Sequence, residues 1–370
     1  MGGSHARYIQ KGDIRNCTLT AVCDIEPAKM DKVSDVEKFE NSAALIRSGN
    51  VDAVLIATPH YDHTTIGIDA FENGLHVLVE KPISVHKADA QRLIDAYEKA
   101  GDRKFQAMFQ MRTVPVFTKM KELIDAGEIG DIQRTSWIVT TWFRPEAYYA
   151  SGGWRATWRG EGGGVLLNQC PHNLDLFQWL CGMPSKVSAF CGWGKYHDIE
   201  VEDDVTAYLE YPNGATGIFV TSTGESPGAN RLEIVGGKGT LIYEHGKLTF
   251  KRNRTAAAEF SRTTRNAFGG PEVWDVQVPV PKGKEGHDVV TQNFIDAIVD
   301  GKKLLAPAEQ GIHAVELANA MLYSAFLDSP VDVPLDAAGY ETELKKRIEN
   351  SRYEKKTTEP VEVDMSKSQW

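Results

Sequence analysis

Between residues 18 and 112 short β-branched runs alternate with helical stretches, and this alternation confines the segment to a parallel sheet wrapped by helices. Strands are predicted over 18–23, 53–57, 76–79 and 105–109. Between them, residues 64–73 and 87–100 carry apolar side chains at helical spacing, with Gly74 and Gly101 where C-terminal caps belong. After a connecting helix near 117–126 the texture changes to strands joined by turns, over 132–140, 186–190, 205–211, 216–221, 231–235 and 239–243. Pro212-Asn213-Gly214 is a hairpin turn, because Asn and Gly tolerate positive φ. One helix, about 166–180, interrupts this mostly antiparallel sheet, and two more, near 289–299 and 310–326, close it. The Lys- and Glu-rich end is expected to be a solvated tail or surface helix. The expected organisation is a doubly wound parallel α/β domain over 1–113, an α+β domain with an open, mostly antiparallel sheet over 114–340, and a charged tail over 341–370.

Bulk properties narrow the function classes. A chain of 370 residues, 42% hydrophobic and 25% charged, is long enough for two domains with sizeable cores. Its 41 Lys+Arg against 51 Asp+Glu give a net charge of −10 without a basic block, which argues against nucleic acid and leaves a small neutral ligand as the better fit. Cys17, Cys23, Cys170, Cys181 and Cys191 show no C-x-x-C spacing, so neither a disulfide framework nor a metal site is expected. No apolar run approaches a membrane span and the start lacks an export signal, which makes the cytoplasm the expected compartment.

In a dinucleotide-binding sheet of the Rossmann type, a strand runs into a Gly-rich turn, and an acidic residue about twenty positions later holds the ribose diol. Here Met1-Gly2-Gly3-Ser4-His5-Ala6 is already helix-like, and Asp24 follows a strand, twenty-two residues after Gly2. Gly2 is therefore read as the third glycine of that fingerprint, with the first strand and first two glycines expected upstream of Met1. The competing reading is a flexible Gly-Gly start and a capping aspartate before Pro27.

Two constellations could carry chemistry. Ala57-Thr58-Pro59-His60 and Glu80-Lys81-Pro82 each follow a predicted parallel strand, at the carboxyl ends where open α/β sheets bind ligands. Pro82 disfavours helix at Lys81 and so aims the amine; the alternative is a surface lysine paired with Glu80. The second is Gly162-Gly163-Gly164 through Asn168 and His172 to Asp175. On a continuous helix Asn168, His172 and Asp175 share one face, although Pro171 must start or kink it. A hydrogen-bonded core histidine with Asn168 as a cap is the alternative. Tyr148, Trp154, Arg155, Trp158 and Arg159 bracket the preceding loop; aromatic faces and guanidinium forks suit a sugar ring, and equally well a packed seam. The acidic group Asp198, Glu200, Glu202, Asp203 and Asp204 is expected to form a solvated edge.

These stretches resemble the Gfo/Idh/MocA family of oxidoreductases. The match runs through Val54-Leu55-Ile56-Ala57-Thr58-Pro59 with His63, Gly74 to Glu80-Lys81-Pro82, Gly162 to His172 and Asp175, and Val201-Glu202-Asp203-Asp204. The resemblance implies a Rossmann domain, a second domain with an open sheet, homo-oligomers such as dimers or tetramers, and substrates that are sugars, glycosides or cyclitols. It places the cofactor on Gly2, Gly3, Asp24, Ile25, Thr58, Pro59, His60, His63, Glu80, Lys81 and Gln110. Catalysis falls to Lys81 and His172 with Asn168, and substrate contacts to Arg112, Tyr148, Trp154, Arg155, Trp158, Asn168 and His172. The family usually has aspartate where this chain has Asn168, which shifts proton transfer toward Lys81. Asp24 favours NAD over NADP, since a carboxylate repels the extra phosphate. The expected activity is hydride transfer between NAD and a hydroxyl or ketone of such a substrate. The alternatives are a glycoside dehydrogenase serving redox-assisted glycoside cleavage and a catalytically silent dinucleotide-binding subunit or sensor.

Overall fold

The computed structural model describes residues 1–355 and divides the chain into two compact units, Met1–Val114 with Lys284–Glu316 and Pro115–Gly283 with the chain from Leu317 on. The first unit opens with α1 (Gly2–Gln10), then β1 (Ala21–Cys23), α2 (Pro27–Met30), β2 (Glu37–Phe39), α3 (Ser42–Ile46), β3 (Ala53–Ile56), α4 (His60–Glu72), β4 (His76–Val79), α5 (Lys87–Lys99) and β5 (Phe105–Ala107). Its pairings are all parallel and fall into two pieces, β1-β2 and β3-β4-β5. Among the described residues no ladder joins β1 to β3.

The second unit follows with α6 (Pro115–Asp125), β6 (Ile132–Val139), α7 (Glu146–Ala150), α8 (Val165–Asn168), α9 (Pro171–Cys181), β7 (Lys186–Trp193), β8 (Glu202–Glu210), β9 (Thr216–Ser222), β10 (Asn230–Gly236), β11 (Gly239–Glu244), β12 (Lys247–Asn253), α10 (Ala257–Thr263) and β13 (Val273–Gln277). The chain then returns to the first unit through α11 (His287–Val299). It leaves again along α12 (Gly311–Leu327) for β14 (Val331–Asp332) and α13 (Ala337–Asn350). Nine strands form one sheet in the order β13-β12-β11-β10-β6-β9-β8-β7-β14, parallel only between β6 and β9. The predicted 212–214 turn is present, with Gly214 at φ +83° and the Asn213 side chain accepting from Ala215 N–H.

Side-chain alternation explains both cores. In β4, Leu78 faces Met108, Val290 and Phe294, so α11 covers that side of β3-β4-β5. Phe105, beside Val77 in register, meets Phe71 of α4 and Tyr97 of α5. A parallel sheet must bury both faces, and α11 supplies one cover; the expectation that the 289–299 helix closes the second domain is corrected. In the large sheet one face packs Trp137, Phe219 and Phe177 together, while Ile138, Phe190, Tyr208 and Ile218 stay exposed on the other.

Two further expectations change. Strand β1 is shorter than 18–23, and β2, β12, β13 and β14 were not foreseen, because short or charged strands carry little periodic signal. The single 166–180 helix is two, since Pro171 occupies the first turn of α9 and cannot donate a hydrogen bond into a continuous helix. Of the two expectations for the charged end, the helix holds over 341–350, which belong to α13, whose Tyr340 and Leu344 are buried and whose Arg347 lies 3.6 Å over the Phe326 ring; the remainder of the tail from 356 on lies outside the described residues. No described helix is long and apolar enough to cross a membrane.

Trp137 is fully buried, and its indole N–H is matched by Asn230 Oδ1 at 3.0 Å. Replacing it with Ala is expected to cost about 3–5 kcal/mol. Urea unfolding of W137A beside wild type measures this, and an unchanged midpoint would contradict the packing described.

Candidate active site

In the first unit, parallel strands deliver their following loops to one edge of the sheet. After β3 come Thr58 and Pro59, with His60 opening α4; after β4 come Glu80, Lys81 and Pro82. His63 ties the two loops: Nδ1 is 2.7 Å from Pro82 O and Nε2 is 3.0 Å from Thr58 O. Burial lowers its pKa, against the opposing effect of those carbonyls, so the neutral ring donates to one of them. The structure thus uses His63 as a loop clamp. The Glu80 carboxylate is buried and accepts hydrogen bonds from His5 Nε2 at 2.7 Å and from Lys81 N–H at 3.2 Å. Burial pushes this carboxyl up, but the His5 hydrogen bond and the fields of His5, His287 and Lys81 outweigh it and bring the pKa to about 2. The other ring nitrogen of His5, Nδ1, is hydrogen-bonded with the Tyr8 hydroxyl, and Tyr8 meets Thr291 at 2.8 Å. Thus α1 and α11 brace the loop that carries half-buried Lys81. His5 was missed in the sequence; a polar residue on an amphipathic helix gives no sign of its distant partner.

The remaining first-unit candidates divide. Gly2 opens α1, and a Cβ there would meet Ala57 at an ordinary 3.8 Å, while one on Gly3 would meet nothing; neither glycine is demanded by its surroundings. Asp24 ends β1 half-exposed, its Oδ1 accepting from Glu26 N–H at 2.9 Å, and Ile25 beside it is exposed. Gln110 and Arg112 lie in a 3-10 turn after β5, and both are buried. Arg112 Nη1 donates to Gln310 Oε1 at 2.7 Å, so the expected substrate arginine is engaged within its own unit.

In the second unit the loop before α8 is built on two close approaches. A side chain on Gly160 would collide with the Trp154 carbonyl, and one on Gly164 with that of Glu202. Glu202, fully buried at the start of β8, accepts from Gly164 N–H at 2.8 Å and Leu166 N–H at 3.0 Å, closing the first turn of α8. Burial raises its pKa to about 7, against the pull of those N–H groups. Asp203, also buried, accepts from the N–H groups of Lys195, Tyr196 and His197 and from His197 Nδ1 at 2.9 Å. The acidic run is therefore not the solvated edge expected: its two central members are buried anchors.

Next to α8 lies a dense polar cluster. Tyr148 of α7 donates to Asn168 Oδ1 at 2.9 Å and accepts from Arg155 Nη1 at 3.0 Å and Gln169 Nε2 at 3.1 Å. The Arg155 guanidinium lies 4.7 Å from the Tyr148 ring and 4.6 Å from that of Trp154. Glu161, buried below, accepts from Asn168 Nδ2, and Lys355 Nζ donates to Arg155 O at 2.6 Å. Trp158 is not part of this wall. It packs with Trp193 and Phe326, each 5.6 Å away, under the Arg347 guanidinium. His172 and Asp175 are buried on α9, and the α8/α9 break removes the continuous helical face argued for Asn168 and His172.

Comparison with known proteins places these features in a lineage. Residues 1–109 match a family model described as an oxidoreductase family with NAD-binding Rossmann fold, and 117–242 match the GFO/IDH/MocA C-terminal domain. Inositol 2-dehydrogenase 1 of Saccharopolyspora erythraea is 32% identical over 90% of this chain and 94% of its own. Levoglucosan dehydrogenase of Pseudarthrobacter phenanthrenivorans is 25% identical over 80% of this chain and 84% of its own. The Bordetella pertussis WlbA dehydrogenase, solved with NADH and UDP-GlcNAcA, superposes with a TM-score of 0.76 at 24% identity, over 90% of this chain and 96% of that one.

A group whose folded pKa is raised from 4.5 toward 7 contributes stability that is complete below about pH 4.5 and lost as pH rises through 7. The stability of wild type relative to E202Q should therefore fall from pH 5 to 8, because the lowered pKa of His63 acts alike in both proteins. Urea midpoints at unit pH steps measure both, and parallel profiles would sink the assignment.

Proposed function

The chain belongs to the Gfo/Idh/MocA family of NAD-binding oxidoreductases, and from that premise we propose that it transfers hydride between NAD and a ring hydroxyl or ketone of a sugar, glycoside or cyclitol. The observation that carries the reading is Lys81, set at the carboxyl end of a parallel strand by the His5–Glu80 pair. The residues present fit the cofactor: Asp24 offers an acceptor-only carboxylate at the end of β1 for a ribose diol, and the loops after β3 and β4 border the opposite part of such a site. NAD, when bound, supplies the hydride acceptor. As the substrate carbon loses hydride, its hydroxyl proton passes to a base, which we assign to the Lys81 amine with His172 as its partner. Reduction runs the same path in reverse. Asn168, Tyr148, Arg155 and Trp154 border the substrate; because the Tyr148 hydroxyl already makes three hydrogen bonds, it orients neighbours instead of reading the sugar itself.

The half-buried Trp154 beside Arg155 favours a second reading, a glycoside dehydrogenase, since an aromatic face and a guanidinium accommodate a further ring. The exposed apolar strip of Ile138, Phe190, Tyr208 and Ile218 on the large sheet supports a homo-oligomer. Five cysteines without a disulfide support a reducing, cytoplasmic setting.

An absorbance screen of sugars, cyclitols and glycosides with NAD should find at least one that yields reduced cofactor; none doing so would leave the silent-subunit reading. With that substrate, K81A should lose at least about a hundredfold in kcat while NAD titration by fluorescence stays within a few-fold. Undiminished turnover would remove Lys81 from its role.

A further inference from the structure

Glu161 is 2% exposed and was given no role by the sequence, yet its carboxylate organises the polar cluster beside α8. One oxygen accepts from Ala156 N–H and the other from Asn168 Nδ2, with Arg155 Nη1 3.9 Å from the latter. Burial raises the pKa of this carboxyl, against the field of Arg155 and the hydrogen bonds from Ala156 and Asn168; ionised, it only accepts, and the Asn168 amide then turns its nitrogen toward Glu161. Its oxygen then faces the Tyr148 hydroxyl at 2.9 Å and Gln169 Nε2 at 3.2 Å, both donors. The partners on the two sides admit one orientation. Ala156 lies at φ +54°, in the left-handed region that strains a non-glycine residue, and its N–H is held there by the same carboxylate. An aspartate at 168 would press a second carboxylate against Glu161 in a buried setting, where two cannot readily both ionise. Asparagine at 168 and glutamate at 161 therefore form a matched pair.

We propose that Glu161 is a positioning residue for the substrate site: it fixes the Asn168 carboxamide and the 154–161 loop, and carries from a neighbouring position the negative charge that residue 168 lacks. The link to substrate rests on the proposed function; the Glu161–Asn168 contact does not.

Three variants test this: E161Q, N168D and E161Q/N168D. In the double variant the roles are exchanged: the amide now at position 161 donates to the carboxylate now at 168, and the amide oxygen is still able to accept from Ala156 N–H. In protein labelled with 15N-asparagine, the Asn168 side-chain resonance is identified by its loss in N168D. Without any substrate, it should move upfield in E161Q, because a carboxamide has one oxygen where the carboxylate offered two and cannot accept from both Ala156 N–H and Asn168 Nδ2; an unmoved resonance would overturn the proposal. With the substrate from the screen, kcat should fall about tenfold in each single variant and recover to within about threefold of wild type in the double. E161Q turning over at the wild-type rate, or the double losing the product of the single losses, would also overturn it. If E161Q does not fold, folding of the double variant supports the exchange, and its failure to fold overturns it. If wild type oxidises nothing in the screen, the proposed function has failed, and the resonance alone decides the role of Glu161 toward Asn168.

Discussion

Carboxylates taken out of water and saturated by donors hold the candidate site together. Glu202 closes the first turn of α8, a four-residue helix too short to persist on its own, by accepting two of its orphan N–H groups. Asp203 gathers three consecutive N–H groups of the loop after β7. Glu80 holds the loop after β4 through Lys81 N–H, with His5 as its counter-group. A buried charge of this kind is costly unless every lone pair finds a donor, so each carboxylate dictates the path of the backbone around it.

That dependence shapes the chemistry. Lys81 is not presented by a free loop but by one clamped from below through Glu80 and from the side through His63. In the second unit, Asn168 ends α8, whose start Glu202 fixes and whose end meets Tyr148 and Glu161. Rigid placement of this sort lowers the entropic cost of aligning a substrate. It also explains why the glycines at 160 and 164 admit no side chain: the chain passes against neighbouring carbonyls so that the carboxylates can reach.

Much of the fold was legible because it rests on local periodicity. The strands His76–Val79 and Thr216–Ser222 and the helix Lys87–Lys99 emerge close to where alternation or helical spacing placed them. The 289–299 segment is recognisable as a helix but not as part of the first unit, since an apolar stripe announces that it must be covered, not by which sheet. Trp158 shows the same limit in the site: its residue type suits a sugar face, and only its neighbours Trp193, Phe326 and Arg347 show that it is core. The acidic run at 198–204 looked solvated because charge usually is, and Glu202 and Asp203 are buried because distant N–H groups await them.

The sequence alone determined the two-part organisation, the class of each sheet, the loop bearing Lys81 and the helical segment bearing His172. These follow from side-chain period and from proline and glycine, which act within a few residues. Only the tertiary structure decided that α11 returns to the parallel sheet and that His5, Glu161 and Glu202 hold up the site. Those outcomes depend on hydrogen bonds and packing between residues far apart in the chain, where desolvation makes each unpaired group too costly to leave and no local pattern records the partner.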